Sequence, residues 1–273
     1  MAVTMADISK LRTMTGAGMM DCKNALNEAE GNFDKAIEII RKKGQAIAAK
    51  RSDRQASEGC VLSASNGEFA AVVAIKCETD FVAQNADFIA LTQSILDAAM
   101  ANKVADKEAL LALAIDGRTI AELVTDRSGV TGEKMEIGYY EFVEGATVVE
   151  YIHPGNKLAT IVAFNEALDA QVAREVAMQV AAMNPIAVKR DEVPANIIAT
   201  ELEVGREKAR QEGKPEAMLD KIAEGRLNKF YKESTLLEQD FIKDAKVSVQ
   251  QYLKQVSASL TATAFKRVTL NEE

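Results

Sequence analysis

The side chains best able to do covalent chemistry in this sequence are three cysteines and a single histidine: Cys22, Cys60, Cys77 and His153. Thiolates and imidazoles bind zinc, but no two of these residues have the paired CxxC-type spacing of a zinc site. A Cys77–His153 nucleophile is an alternative, although the sequence nominates no third group to orient the histidine. We favour small core or half-buried thiols and a histidine in a surface turn. We therefore predict no metal site, no cofactor and no catalytic residue.

Recognition of another protein is the second chemistry that the sequence suggests, through the pair Asp80-Phe81. The pair lies in the segment Cys77–Asn85, between an apolar run at 69–75 and a helical pattern that starts at Phe88. Such a strand-to-helix corner lets a rigid scaffold present a side chain. Base rates favour a buried phenylalanine, so Phe81 taken alone is expected to face the core. If it points outward, it is suited to entering another protein.

Composition excludes several classes of function. The chain has 273 residues, a net charge of −8 and no tryptophan, and nucleic-acid binding favours a basic face and stacking aromatics. The basic stretch 41–54 could contact RNA, but we interpret it as a solvated helix end and a linker. No apolar run has the length of a signal peptide core or a membrane span. Three unpaired cysteines fit a reducing compartment, so we expect a cytoplasmic protein that binds neither membrane nor nucleic acid directly.

Residues 1–52 are predicted to form three helices that break at Gly16-Ala17-Gly18 and at Gly31-Asn32. Met19 falls on the apolar stripe of the second helix, whereas Met20 falls off it. The apolar stripes are Ile8, Leu11 and Met14; Met19, Cys22, Leu26 and Ala29; and Phe33, Ala36, Ile37 and Ile40.

The remainder of the chain carries one pattern twice. The first copy predicts a hairpin with a type I′ turn at Asn66-Gly67, two helices and a third strand; the second copy predicts the same order after residue 145. The first-copy segments are 60–65, 68–76, 86–101, 106–124 and 134–142. The second-copy segments are 147–152, 158–164, 172–183, 247–256 and 264–270.

An insertion at 191–230 separates the helices of the second copy. Its apolar stripes and the reversal at Gly213-Lys214-Pro215 predict an antiparallel helical hairpin. The predicted fold class is therefore α+β, with a duplicated core and this inserted hairpin. The predicted domains are 1–52; 53–143; 144–190 with 231–273; and 191–230.

Several blocks, in order along nearly the whole chain, resemble the bacterial translation elongation factor Ts family. The two longest are Thr-Gly-Ala-Gly-Met-Met-Asp-Cys-Lys-Asn-Ala-Leu at 15–26 and Cys-Glu-Thr-Asp-Phe-Val-Ala at 77–83. Shorter blocks lie at 153–157, 178–185 and 224–230. The resemblance implies a ubiquitin-associated-like N-terminal domain, a two-part core and a protruding coiled-coil hairpin.

The resemblance also implies guanine-nucleotide exchange on elongation factor Tu, in its GDP-bound and nucleotide-free forms. Carried over by position, the expected partner-binding residues are Thr79, Asp80, Phe81, Val82, His153, Met19, Met20, Arg12 and Gly132. Gln179 stands where many members have histidine, and a further C-terminal module found in some members is expected to be absent. Contacts between two copies through the hairpin are also an expectation. The alternatives are a cysteine-dependent enzyme and an adaptor that works through its three helices.

Overall fold

Two antiparallel sheets with the same connectivity form the centre of the computed structural model, which describes residues 3–271. The outermost residues of the predicted ranges 1–52 and 231–273 lie outside this described part. The strands are β1 (Glu58–Ser65), β2 (Phe69–Cys77), β3 (Ala114–Ile115), β4 (Arg118–Thr119), β5 (Glu136–Glu144), β6 (Thr147–Ile152), β7 (Leu158–Phe164), β8 (Asp240–Phe241), β9 (Asp244–Ser248) and β10 (Ala262–Thr269). The strand orders are β1-β2-β5 and β6-β7-β10, so each hairpin gains its third strand on the same side.

Helices cover the outer faces of both sheets and form the N-terminal unit and the hairpin. They are α1 (Met5–Thr15), α2 (Met19–Glu28), α3 (Phe33–Lys50), α4 (Asp80–Ala83), α5 (Ala86–Asn102), α6 (Lys107–Ala112), α7 (Ile120–Thr131), α8 (Ala170–Met183), α9 (Ala195–Gln211), α10 (Leu219–Ser234) and α11 (Val249–Val256). The mixed helix and sheet content agrees with the predicted α+β class. The predicted domain boundaries remain a prediction. Among the described residues, no helix is both long and apolar enough to cross a membrane.

The two sheets pack face to face, which produces a helix–sheet–sheet–helix sequence of layers. In β2, Val72 belongs to the core between the sheets and Val73 belongs to the core beneath α5. In β7, Ile161 faces the first sheet and Val162 packs towards α8. Because successive side chains of a strand point to opposite faces, a strand covered on both faces is apolar throughout. This explains the unbroken apolar runs of the two central strands.

The predicted helix at 106–124 is wrong, because a two-stranded ribbon of β3 and β4 divides it into α6 and α7. The turn of this ribbon is Asp116-Gly117, and both residues have positive φ, at 50° and 77°. That is the requirement of a type I′ turn. We predicted this turn type at Asn66-Gly67, where only Gly67 has positive φ (99°) and the Asn66 side chain accepts a hydrogen bond from the Phe69 N–H.

The stretch 41–54, interpreted as a helix end and a linker, is helical for most of its length, because α3 continues to Lys50. The extended helix crosses α7 where Gly44 and Gly129 face each other. A Cβ on Gly129 would lie 2.2 Å from the Cα of Gly44, so this crossing requires glycine. Four cations of the stretch are engaged by acids, in the pairs Arg41–Asp126, Lys42–Glu38, Lys43–Asp21 and Arg51–Glu78.

Some predicted core positions lie at the surface instead. Met14 and Met19 are 55% and 48% exposed, because each lies in the first or last turn of its helix, where the stripe leaves the core. Met183, the last residue of the helix predicted at 172–183, is likewise 43% exposed. The helix predicted at 247–256 begins only at Val249. Val247 belongs to β9, and the hairpin of β8 and β9 was not predicted.

The inserted segment forms two packed helices, α9 and α10. Gly205 lies against Ala223, with a Cβ on the glycine only 3.1 Å from the Ala223 Cα. The two helices bury few large apolar side chains against each other, and the close backbone approach at Gly205 supplies packing contact instead. Ion pairs between the helices supplement it: Arg206–Asp220 at 2.6 Å and Arg226–Glu212 at 2.6 Å. Self-association through this hairpin remains a prediction.

Candidate partner-binding site

Phe81 is the most exposed large apolar side chain among the described residues, at 85%. It lies in the single helical turn α4, directly after β2. Thr79 caps this turn, since its hydroxyl accepts a hydrogen bond from the Val82 N–H at 3.4 Å, and Asp80 lies exposed in the first turn. The base-rate expectation of a core-facing Phe81 is therefore wrong, and the orientation follows what the family resemblance implies.

The inner side of the same turn is fixed by apolar packing. Ala83 is buried in the core beneath α5, and Val82 is partly buried against it. Their burial leaves Phe81 on the opposite side of a one-turn helix. Burying a phenylalanine side chain would contribute about 1.5–3 kcal/mol, and this chain leaves that contribution unused in the isolated molecule.

Two glutamates that the sequence analysis did not single out hold the backbone of the corner. Glu133 accepts hydrogen bonds from the N–H groups of Glu78 and Thr79, both at 3.1 Å, and from the Thr79 hydroxyl at 2.6 Å. Glu78 in turn binds the Arg51 guanidinium at 3.1 and 3.3 Å and the Lys134 N–H at 2.6 Å. In the sequence, the only feature that could have indicated Glu133 was its position next to Gly132, an expected partner-binding residue.

Gly132 ends α7 and is brought to the corner by this network. It has a φ of 74°, and its N–H donates to the Ser128 carbonyl at 2.9 Å. A left-handed residue is the common end of a helix and favours glycine. The chain then turns so that the next residue, Glu133, reaches Thr79. Residues 127–131, which lie beyond the end of the helix predicted at 106–124, form the C-terminal end of α7.

The turn that carries His153 lies beside the corner, although the two are far apart in sequence. The Asn156 carbonyl accepts from the Val61 N–H at 2.7 Å, and Lys157 pairs with Glu58 at 2.7 Å. Glu58 lies opposite Cys77, the last residue before the corner. The hydrogen bond that Lys157 donates to the Glu58 carboxylate chiefly raises the pKa of Lys157, and the negative charge of Asp80 contributes. His153 is exposed, and its Nδ1 lies 3.0 Å from the Tyr151 hydroxyl.

Arg12, Met19 and Met20 lie in the N-terminal helical unit. All three side chains are exposed, with Met20 at 63%. Within the part of the chain that the structure describes, no hydrogen bond or ion pair joins them directly to the corner. The direct polar link between the helical unit and the corner is the pair of Arg51, at the end of α3, with Glu78.

The thiols are placed for packing and not for nucleophilic chemistry. Cys77 is fully buried and its Sγ donates to the Thr79 carbonyl at 3.3 Å. Burial raises the pKa of Cys77 to about 12 and that of Cys60 to about 11. A nucleophilic cysteine needs a lowered pKa, so the burial of these thiols opposes the cysteine-dependent enzyme. Residues 3–271 contain no group of three or more His, Cys, Asp or Glu side chains that could hold a metal ion.

Gln179 has a structural role in this chain. It is fully buried in α8, and its amide nitrogen donates to Gln239 and to the Asp240 carbonyl at 3.2 and 3.1 Å. Its amide oxygen accepts from the Ile242 N–H at 2.8 Å. These bonds fasten the hairpin of β8 and β9 to α8, so the side chain is not available to a partner in this conformation.

Together these features define a protein whose conspicuous site is a rigidly held, exposed acid–aromatic pair, as expected of a factor that acts by binding another protein. The family "Elongation factor TS" matches residues 78–272, beginning at the corner itself. Elongation factor Ts of Porphyromonas gingivalis is 64% identical, that of Azobacteroides pseudotrichonymphae 57%, and that of Bacteroides fragilis 49%; each alignment covers 100% of both chains. The chain belongs to the elongation factor Ts family, and it is therefore a factor of translation elongation.

Proposed function

We propose that this chain promotes GDP release from elongation factor Tu by inserting Phe81, with Asp80 beside it, into the G domain of that partner. The observation that carries the proposal is the 85% exposure of Phe81 on a helical turn whose other side is packed into the core. An exposed phenylalanine on a rigid turn can be buried by a partner with little loss of conformational entropy.

The proposed effect on the nucleotide is electrostatic. A bound Mg²⁺ is the largest local charge at a nucleotide phosphate site, so displacing the elements that hold it weakens phosphate binding. Every tenfold acceleration of GDP release requires a barrier lower by roughly 1.4 kcal/mol. Burial of one phenylalanine supplies about 1.5–3 kcal/mol, which accounts for one or two such factors.

The rest of the free energy must come from a wider interface. We propose that Thr79, Val82, His153, Gly132, Arg12, Met19 and Met20 supply it. The proximity of the His153 turn to the corner supports a joint surface, since Lys157 pairs with Glu58 next to the corner. By linkage, a factor that weakens nucleotide binding is itself bound more weakly once nucleotide returns. GTP rebinding then expels the factor.

The test is release of a fluorescent GDP analogue from elongation factor Tu at increasing concentrations of this protein. Phe81→Ala should lower the catalysed rate by roughly tenfold or more, and Phe81→Leu by less, because leucine retains part of the apolar burial. Asp80→Ala tests the acid separately. Met218→Ala is a matched control, since Met218 is 48% exposed but lies between the hairpin helices. Wild-type exchange by folded Phe81→Ala and Asp80→Ala variants would refute the proposal.

Two alternatives give different outcomes in the same assay. An adaptor would bind elongation factor Tu without changing the rate of GDP release. A cysteine-dependent protein would lose its function in a Cys77→Ala variant, which we expect to retain most of its exchange activity.

A further inference from the structure

The corner depends on a half-buried carboxylate contributed by a distant part of the chain. Glu133 follows α7 and accepts three hydrogen bonds at the corner, two from consecutive backbone N–H groups and one from the Thr79 hydroxyl. Thr79 is also the residue whose hydroxyl caps α4. One carboxylate therefore fixes the backbone immediately before the helical turn and the side chain that starts the turn.

A second carboxylate extends this arrangement to the N-terminal helical unit. Glu78 receives the Arg51 guanidinium on both of its oxygens and the Lys134 N–H on one. A single guanidinium nitrogen, Nη1, makes both contacts, at 3.1 and 3.3 Å, so the pair is a charge-assisted hydrogen bond shared between the two carboxylate oxygens. The corner is thus joined on one side to the segment after α7 and on the other side to the end of α3.

We propose that Glu133 is a positioning residue for nucleotide exchange, acting through Phe81. This inference rests on the proposed function and adds a residue to its machinery. The carboxylate holds α4 in the conformation that presents Phe81, so the partner does not have to order the corner on binding. Charge-assisted hydrogen bonds to backbone N–H groups are stronger than neutral ones, so an amide at this position holds the corner less firmly.

The test combines Glu133→Gln with Phe81→Ala in a double-mutant cycle, scored by the maximal rate of GDP release from elongation factor Tu. Glu133→Gln alone should lower the maximal rate by roughly tenfold. In the Phe81→Ala background the same change should have almost no further effect. Glu136→Gln is the matched control, because Glu136 is a nearby carboxylate whose ion pair is with Lys134 and not with the corner.

Several results would overturn the inference. A wild-type rate for Glu133→Gln would remove its role, and an undiminished effect in the Phe81→Ala background would show a general structural role. A wild-type rate for Phe81→Ala alone would instead refute the proposed function. Amide hydrogen exchange at Thr79 reports on the hydrogen bonds from the corner to Glu133 in the absence of elongation factor Tu. It should accelerate in Glu133→Gln, and unchanged exchange would show that Glu133 does not hold the corner.

A conservative substitution keeps the experiment decisive if Glu133→Gln does not fold. Glu133→Asp retains the charge but shortens the side chain, so we expect a smaller loss of maximal rate with the same dependence on Phe81. Arg51→Gln should lower the rate by about threefold or less, since its ion pair is partly exposed. A larger effect of Arg51→Gln than of Glu133→Gln would contradict the assignment.

Discussion

The two halves of the core turn the same strand-to-helix corner in opposite ways. In the first half, residues 78–85 connect β2 to α5, include the turn α4 and leave Phe81 85% exposed. In the second half, residues 165–169 connect β7 to α8 more directly. There the apolar residue Leu168 packs against the core. One topology thus supports a presented side chain in one copy and a closed corner in the other.

The hydrogen bonds of the two corners show the same contrast between a presented side chain and a closed corner. In the first corner the partners, Glu133 and Glu78, hold a turn that points outward. In the second corner Asn165 bonds the Ser259 carbonyl and the Thr261 N–H at 2.9 and 2.8 Å. These bonds tie the second corner down onto the segment before β10. The extra residues of the first corner, and not a difference in sheet topology, create the presented site.

The largest expected effect on stability comes from comparing alanine substitutions of one phenylalanine in each half. Phe164, the last residue of β7, is fully buried, so Phe164→Ala should destabilise the chain by about 3–5 kcal/mol. Phe81→Ala should change stability by no more than about 0.5 kcal/mol, because the ring is already in solvent. Urea unfolding followed by circular dichroism measures both. Similar losses for the two variants would mean that the exposure of Phe81 is not maintained in solution.

Local patterns predicted most of the elements around both corners. Strand alternation and helical periodicity located the β1–β2 and β6–β7 hairpins, the helices after the corners and the inserted helical pair. The same reasoning failed at Asp116-Gly117, where a strong turn signal lay inside a convincing helical pattern. A glycine pair such as Gly44 and Gly129 has no local signature, since its reason is the approach of two helices far apart in sequence.

The site was predicted in part for the same reason. The acid–aromatic pair at 80–81 lies in one continuous motif, so its corner was located from the sequence. Its outward orientation needed the family resemblance, because base rates favour a buried ring. Glu133 lies 54 residues from Thr79 in sequence, and only the fold brings the two together. Surface carboxylates are too common for sequence alone to have selected this one.

The next prediction extends the comparison to the helices after the corners. Glu175 of α8 binds Lys243 and the Tyr252 hydroxyl, both at 2.6 Å, and these bonds, with one from Gln171, lower its pKa to about 2. The residue at the same distance from the start of α5 is the partly buried Leu91. Glu175→Gln should cost about 2 kcal/mol of stability at pH 7, since hydrogen bonds to charged groups are worth about 1.5–3 kcal/mol.

The pH dependence of the stability difference between wild type and Glu175→Gln follows from the direction of the Glu175 pKa shift. The folded pKa lies below the ordinary value of 4.5, so the contribution is fully present above that value and is lost as the pH falls towards 2. Urea unfolding midpoints of wild type and Glu175→Gln should therefore converge over this interval. A difference in unfolding midpoint that stays constant between pH 7 and pH 2.5 would contradict a stabilising role for the ionised Glu175 carboxylate. Glu201→Gln, on the hairpin helix α9, is a control outside this network.

The smallest predicted effect concerns the bonds that close the second corner. Asn165→Ala removes the hydrogen bonds to the Ser259 carbonyl and the Thr261 N–H. Because the side chain is solvent-exposed, water can replace these bonds and we expect a loss of only about 1 kcal/mol in unfolding free energy. The maximal rate of GDP release should stay at the wild-type value, in contrast to Glu133→Gln. A fall in that rate as large as in Glu133→Gln would mean that both corners, and not the first alone, position the binding surface.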